Sequence, residues 1–111
     1  NMTGVSDMRF KKNIKPVDNA LKKIMQLNGI YFNWRSEEFE QFENNTKQNV
    51  GFLAQEVEKV IPQVVHTDDT EEAYKSVDYA SMVSVLVEAM KEQQQQIEAL
   101  QKEVDELKKK K

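Results

Sequence analysis

The stretch SDMRFKKNI, Ser6 to Ile14, holds one serine, one acid and three cations near the start of the chain. A serine hydroxyl becomes a nucleophile when a base takes its proton, and a neutral lysine amine can be that base. Ser6 and Lys11 are five residues apart, a spacing that puts them on different faces of an ideal helix or strand. A direct pair therefore needs a bend, or a lysine from a neighbouring chain. By residue type alone, such a segment is most often a solvated basic arm.

The rest of the composition narrows the chemistry. The chain has 111 residues, 32% charged and 39% hydrophobic, which supports one domain with one modest core. With no cysteine there is no disulfide frame, thiol nucleophile or thiolate metal site. His66 is the only histidine, so no metal site and no cofactor are expected. No apolar run approaches the roughly 18 residues of a membrane span, and no secretory signal is visible. The net charge of −3 hides a gradient. Arg9, Lys11, Lys12, Lys15, Lys22 and Lys23 crowd the start, acids fill the middle, and residues 108–111 are all lysine. No nucleic-acid motif accompanies the basic start, and nucleic acid is not expected as a partner.

Elements that could position the arm follow it. Residues 16–28 read as a helix with Val17, Leu21, Ile24 and Met25 on one face, Pro16 in the first turn and Gly29 at the stop. IYFNW, residues 30–34, alternates as a half-buried strand with Ile30, Phe32 and Trp34 inward. Residues 36–48 read as an acidic surface loop, and 49–54 as a second strand. A short helix with Val57, Val60 and Ile61 inward stops at Pro62. Two short strands, near 63–67 and 73–77, flank a turn on Asp68, Asp69 and Thr70. The expected fold class is α+β: a small sheet packed on helix 16–28, with a long C-terminal helix.

That last helix begins at Asp78, a good N-cap, and runs about thirty residues without Gly or Pro. Val83, Met90, Ile97 and Val104 fall at heptad position a; Tyr79, Leu86, Gln93, Leu100 and Leu107 fall at d. This seam, with one polar layer, predicts a coiled coil. Glu103 at g facing Lys108 at e of a neighbour favours parallel helices. A single amphipathic helix folded back on its own domain needs a broader stripe than the outer half has. β-branched residues at a with Leu at d favour a dimer, whereas Met82 and Val87 widen the apolar face toward three helices. The pattern alone leaves dimer and trimer close.

Four ordered motifs resemble the intramolecular chaperone domain of endosialidases and phage tail-spike, tail-fibre and neck-appendage proteins, the peptidase S74 family. Its opening pattern, roughly Ser-Asp-x-Arg-Leu-Lys-x-Asn-Ile, is matched by Ser6, Asp7, Arg9, Lys11, Asn13 and Ile14, with Phe10 in place of Leu. NGIYFNW resembles the family's Gly-x-x-Tyr/Phe-x-Trp strand. GFLAQEVEKVIPQVV resembles its Gly-x-x-Ala-Gln-Glu-Val-Glu segment. SVDYASMVSVLVEAMKE resembles the Val-Asp-Tyr lead-in to the last helix. The likeness covers residues 6 to about 92.

The resemblance implies a parallel homotrimer that helps an upstream β-rich stalk of the same polypeptide to fold. The domain then releases itself by autoproteolysis between Val5 and Ser6. Ser6 would be the nucleophile and Lys11 the general base, with Asp7, Arg9 and Asn13 supporting or orienting them. Residues 1–5 would end the fibre, 6–77 would form the globular chaperone and autoprotease part, and 78–111 the trimerisation segment. The setting implied is the host cytoplasm during virion assembly, in the precursor of a host-attachment appendage. Lysine titrates near pH 10.4 in water, so the base must be desolvated or crowded by cations such as Arg9 and Lys12. Two alternatives stand beside this one. One is a permanent trimerisation module with a merely structural Ser6. The other is the similar domain of a membrane-tethered, myelin-regulatory-factor-like transcription factor, against which the lysine-rich end without a membrane helix argues.

Overall fold

In the computed structural model, which describes residues 4–110, the element that organises the chain is its last helix, α3 (Tyr79–Lys109). The Asp78 carboxylate accepts from the Ser81 backbone N–H at 3.2 Å and the Ser81 hydroxyl at 2.5 Å, fixing where the helix starts. Its 31 residues span about 45 Å. Against its first half pack α1 (Ala20–Ile24) and a 3-10 turn, Pro62–Val64, and α2 (Ala54–Val60) joins the same core through Val57. Ala20, Val57, Ile61, Val64, Met82, Val85 and Ala89 form the buried core, edged by Val17, Leu21, Ile24, Leu27, Phe52, Val60, Val65 and Val77.

Helix 16–28 is shorter than its pattern predicts, and Pro16 lies outside it. In a helix begun at Pro16, the Ala20 N–H would turn to the Pro16 carbonyl. Instead the Ala20 and Leu21 N–H groups reach the Glu92 carboxylate on α3, at 2.9 and 3.3 Å. Asn19 takes the left-handed conformation (φ 50°) at the break, which Asn tolerates better than most residues. At the other end the helix closes at Met25 through αR residues, and Gly29 has no positive φ, so it is not a left-handed stop.

The expected single sheet is two separate antiparallel ribbons. β1 (Ile30–Phe32) pairs with β2 (Asn49–Gly51), Tyr31 opposite Val50; β3 (Val65–Thr67) pairs with β4 (Lys75–Val77), His66 opposite Ser76. Three-residue strands form too few ladder bonds to stand alone, so each ribbon leans on a helix. α1 accordingly packs on α3 rather than on a sheet, and α2 lies against β3 and β4. The β3–β4 turn closes on Asp68, whose carboxylate accepts from the Thr70 hydroxyl and from the Thr70 and Tyr74 N–H groups. Lys75 of β4 bridges to Glu58 of α2 and to Thr67.

Tyr79 ties the first ribbon to α3. Its hydroxyl accepts the Phe52 N–H at 3.1 Å, its ring stacks on Phe52, and a β-carbon at Gly51 would come within 2.6 Å of its oxygen. That close approach explains the glycine. Trp34 is not a core residue. It sits at the edge, stacked on Phe42 with ring centroids 4.2 Å apart and edge-on to Phe32. Phe42 comes from a 3-10 turn, Glu40–Phe42, inside the stretch expected to be plain loop. Met82 is also reassigned. It is 4% exposed within the domain's own core, so it cannot widen a seam toward other helices. Val87 remains half exposed.

Candidate active site in the N-terminal arm

The bend that the Ser6–Lys11 spacing requires is a single 3-10 turn, Met8–Phe10. Asp7 caps it: its Oδ1 accepts the Arg9 backbone N–H at 2.8 Å, and the Lys11 N–H closes on the Met8 carbonyl at 3.1 Å. A 3-10 turn advances three residues per revolution, so the chain doubles back within the motif. The Lys11 Nζ then lies 2.7 Å from the Ser6 Oγ, with the amine donating to the hydroxyl. Beyond it, Asn13 takes a left-handed conformation (φ 56°) that turns the chain again.

Asp7 and Arg9 form a second pair beside the first. Arg9 grips the carboxylate through Nε at 3.1 Å and a terminal nitrogen at 2.9 Å. The Arg9 side chain, and then its backbone N–H, hold the Asp7 carboxyl below the usual carboxylate range. The same pairing raises the Arg9 guanidinium. Asp7 thus pairs with Arg9 and caps the turn, and among the described residues it makes no hydrogen bond to Lys11. Arg9, neutralised by Asp7, is a weaker source of positive field at Lys11 than its charge alone suggests.

Residues 4–16 are all exposed, Val5 and Phe10 at 84% and 80%. Among the described residues, the hydrogen bonds of this arm are internal to it. The scissile bond expected between Val5 and Ser6 is therefore open to solvent; of residues 1–5, the first three lie outside the described residues. The geometry brings together Ser6 and Lys11, and separately Asp7 and Arg9, with Asn13 acting through its backbone.

Residues 6–66 match the peptidase S74 family, described as the chaperone of endosialidase. The chain belongs to that family. It is 33% identical over 88 residues to the long tail fiber protein Gp37 of Enterobacteria phage K3, covering 78% of this chain and 7% of that protein. The Gp37 of Enterobacteria phage T2 gives the same identity over 78% of this chain and 6% of that protein. That of Salmonella phage S16 is 28% identical over 104 residues, 93% of this chain and 14% of that protein. The chain thus spans less than a tenth of the length of the phage K3 and T2 fibre proteins it matches.

A second feature of the chain lies beyond the matched residues, in α3. The heptad residues of α3 form a continuous exposed stripe: Tyr79, Val83, Leu86, Met90, Ile97, Leu100, Val104 and Leu107 are between 44% and 73% exposed, with Gln93 among them. Met82, Val85 and Ala89, on another face of the same helix, are buried against the domain. Gln55 and Glu56 lie exposed in the first turn of α2. No helix among the described residues is long and apolar enough to cross a membrane.

Sequence reasoning missed Glu92. Its signal was faint: it is one of several acids on α3, visible as a partner only once α1 is known to start opposite it. The Asp7–Arg9 pair was also missed: it is made at a 3-10 turn, which no residue periodicity in the sequence marks.

Proposed function

We propose that this domain is a releasable trimerisation chaperone of an upstream phage fibre stalk, which frees itself by one self-inflicted cut between Val5 and Ser6. The observation that carries the reading is the 2.7 Å approach of the Lys11 amine to the Ser6 hydroxyl, made by a turn that the motif itself encodes. Neutral Lys11 takes the Ser6 hydroxyl proton as Oγ attacks the Val5 carbonyl carbon. The tetrahedral centre collapses as the Val5–Ser6 C–N bond breaks, and the amide nitrogen receives the proton from Lys11. The product is an ester between Val5 and the Ser6 oxygen. Water then hydrolyses it, leaving a carboxylate on Val5 and a domain that begins with Ser6.

For Lys11 to accept a proton, the direction of the present hydrogen bond must reverse. Taking the arm out of water disfavours the charged amine. Three copies joined in parallel along the α3 stripe bring three arms and the incoming stalk together at one end of the bundle. Cutting is thereby held back until the trimer and its stalk have formed. The exposed stripe supports assembly, and the relation to phage tail fibre proteins supports a stalk as the substrate of the chaperone. The host cytoplasm during virion assembly is the setting in which such a chain would work.

The test is cleavage of the domain carried on its native upstream segment, followed by gel and mass spectrometry. The wild-type chain should yield a fragment starting at Ser6. Ser6→Ala should remain whole while folded and assembled. Lys11→Ala should slow the cut by about 10²–10⁴-fold, and Lys11→Arg should not restore it because guanidinium stays protonated. If Ser6→Ala is still cut before residue 6, another protease is responsible. An assembled wild-type chain that never cuts identifies a permanent trimerisation module instead.

A further inference from the structure

The arm that carries Ser6 and Lys11 reaches the body of the domain only at its C-terminal end. Lys15, Pro16 and Val17 border a shallow groove against Ser84, Val87, Glu88 and Lys91 of α3; Val17 packs on the core edge, and Ala20 is fully buried. The first polar anchorage is at Ala20 and Leu21, whose backbone N–H groups both end on Glu92 across more than seventy residues of sequence. Asn19 stands at the N-cap position, but its left-handed backbone leaves its side chain making no cap. The start of α1 therefore depends on a carboxylate supplied by another element. Glu92 immediately precedes Gln93, the polar d layer of the exposed stripe.

We propose that Glu92 is a positioning residue for the cut at Val5–Ser6: its two carboxylate oxygens moor the start of α1, and so the root of the reactive arm, to the assembly helix. The inference rests on the self-cleavage reading. Each oxygen has its own partner, Oε2 the Ala20 N–H and Oε1 the Leu21 N–H. A side chain with one acceptor keeps one mooring point, and an apolar one keeps none. When three α3 helices come together at the neighbouring layer, Glu92 carries their placement to the arm's attachment point. Ser6 and Lys11 keep their local turn without it, but the arm's direction from the body is no longer fixed.

The experiment uses the domain on its native upstream segment. Glu92→Ala should assemble and retain its circular dichroism, yet cut at least about tenfold more slowly, since misplacement of a reacting group by about 1 Å costs up to about a hundredfold. Glu92→Gln, with one acceptor, should fall between it and the wild type. Hydrogen exchange should show the Ala20 and Leu21 amides losing protection in Glu92→Ala. Val77→Ala in the second ribbon is the stability control, compared at a temperature where both variants are equally folded. Normal cutting by Glu92→Ala, or equal slowing by Val77→Ala, would overturn the inference while leaving the Ser6–Lys11 reading intact. A wild-type chain that stays whole, or a Ser6→Ala chain that is still cut, would remove both.

Discussion

The two halves of α3 are one continuous helix with opposite relations to the rest of the chain. From Tyr79 to about Met90 it buries Met82, Val85 and Ala89 in the domain and carries the Tyr79 contact to the first ribbon. From Gln93 onward every described residue is exposed, and the apolar ones still fall on one stripe. The first half has two apolar faces, one buried within its own chain and one left largely exposed apart from the Tyr79 contact. The second half has one, and none of the described residues covers it. An isolated polar helix with a narrow apolar seam is marginal in water, and the proposed assembly would cover that seam.

The sharpest way to break this comparison is Leu100→Asp. In a parallel bundle it places charges together at one buried layer, each costing about 3–5 kcal/mol when unpaired. It should abolish self-association at micromolar concentration and slow cleavage, while the folded monomer survives. Sedimentation equilibrium reads the first effect, and an unchanged trimer would show that the stripe is not the seam. Met82→Ala should do the reverse. It removes a side chain 4% exposed in the core and should cost about 2–5 kcal/mol of monomer stability in chemical denaturation. A negligible loss would mean that the first half does not anchor the domain.

The smallest expected effect concerns the helix start. The Ser81 hydroxyl, and then the Ser81 N–H, hold the Asp78 carboxyl below its usual range. A carboxyl lowered in the folded state stabilises the fold above its unfolded pKa, and that contribution is lost as the pH falls through the folded value. Thermal stability should therefore drop on acidification below about pH 4. Asp78→Asn keeps an N-cap but does not titrate, so its melting temperature should fall less over the same interval. Equal slopes for the two proteins would remove Asp78 from the acid response.

Sequence alone determined what local chemistry fixes. Asp78 as a cap, the unbroken helix behind it, the Pro62 stop, the Asp68 turn and the period of the apolar stripe depend on neighbours a few residues away. The motif also marked Ser6 and Lys11, while their spacing argued against a meeting; a 3-10 turn capped by Asp7 resolved that, using only local contacts. Only the tertiary structure decided where α1 begins, that the strands form two ribbons, that Trp34 stays at the edge and that Met82 faces inward. Each of these depends on a partner far along the chain, and the apolar pattern around Met82 is equally satisfied by either face of α3. A periodic pattern states that a face must be covered, whereas the identity of the covering group is fixed only when distant residues compete for it in three dimensions.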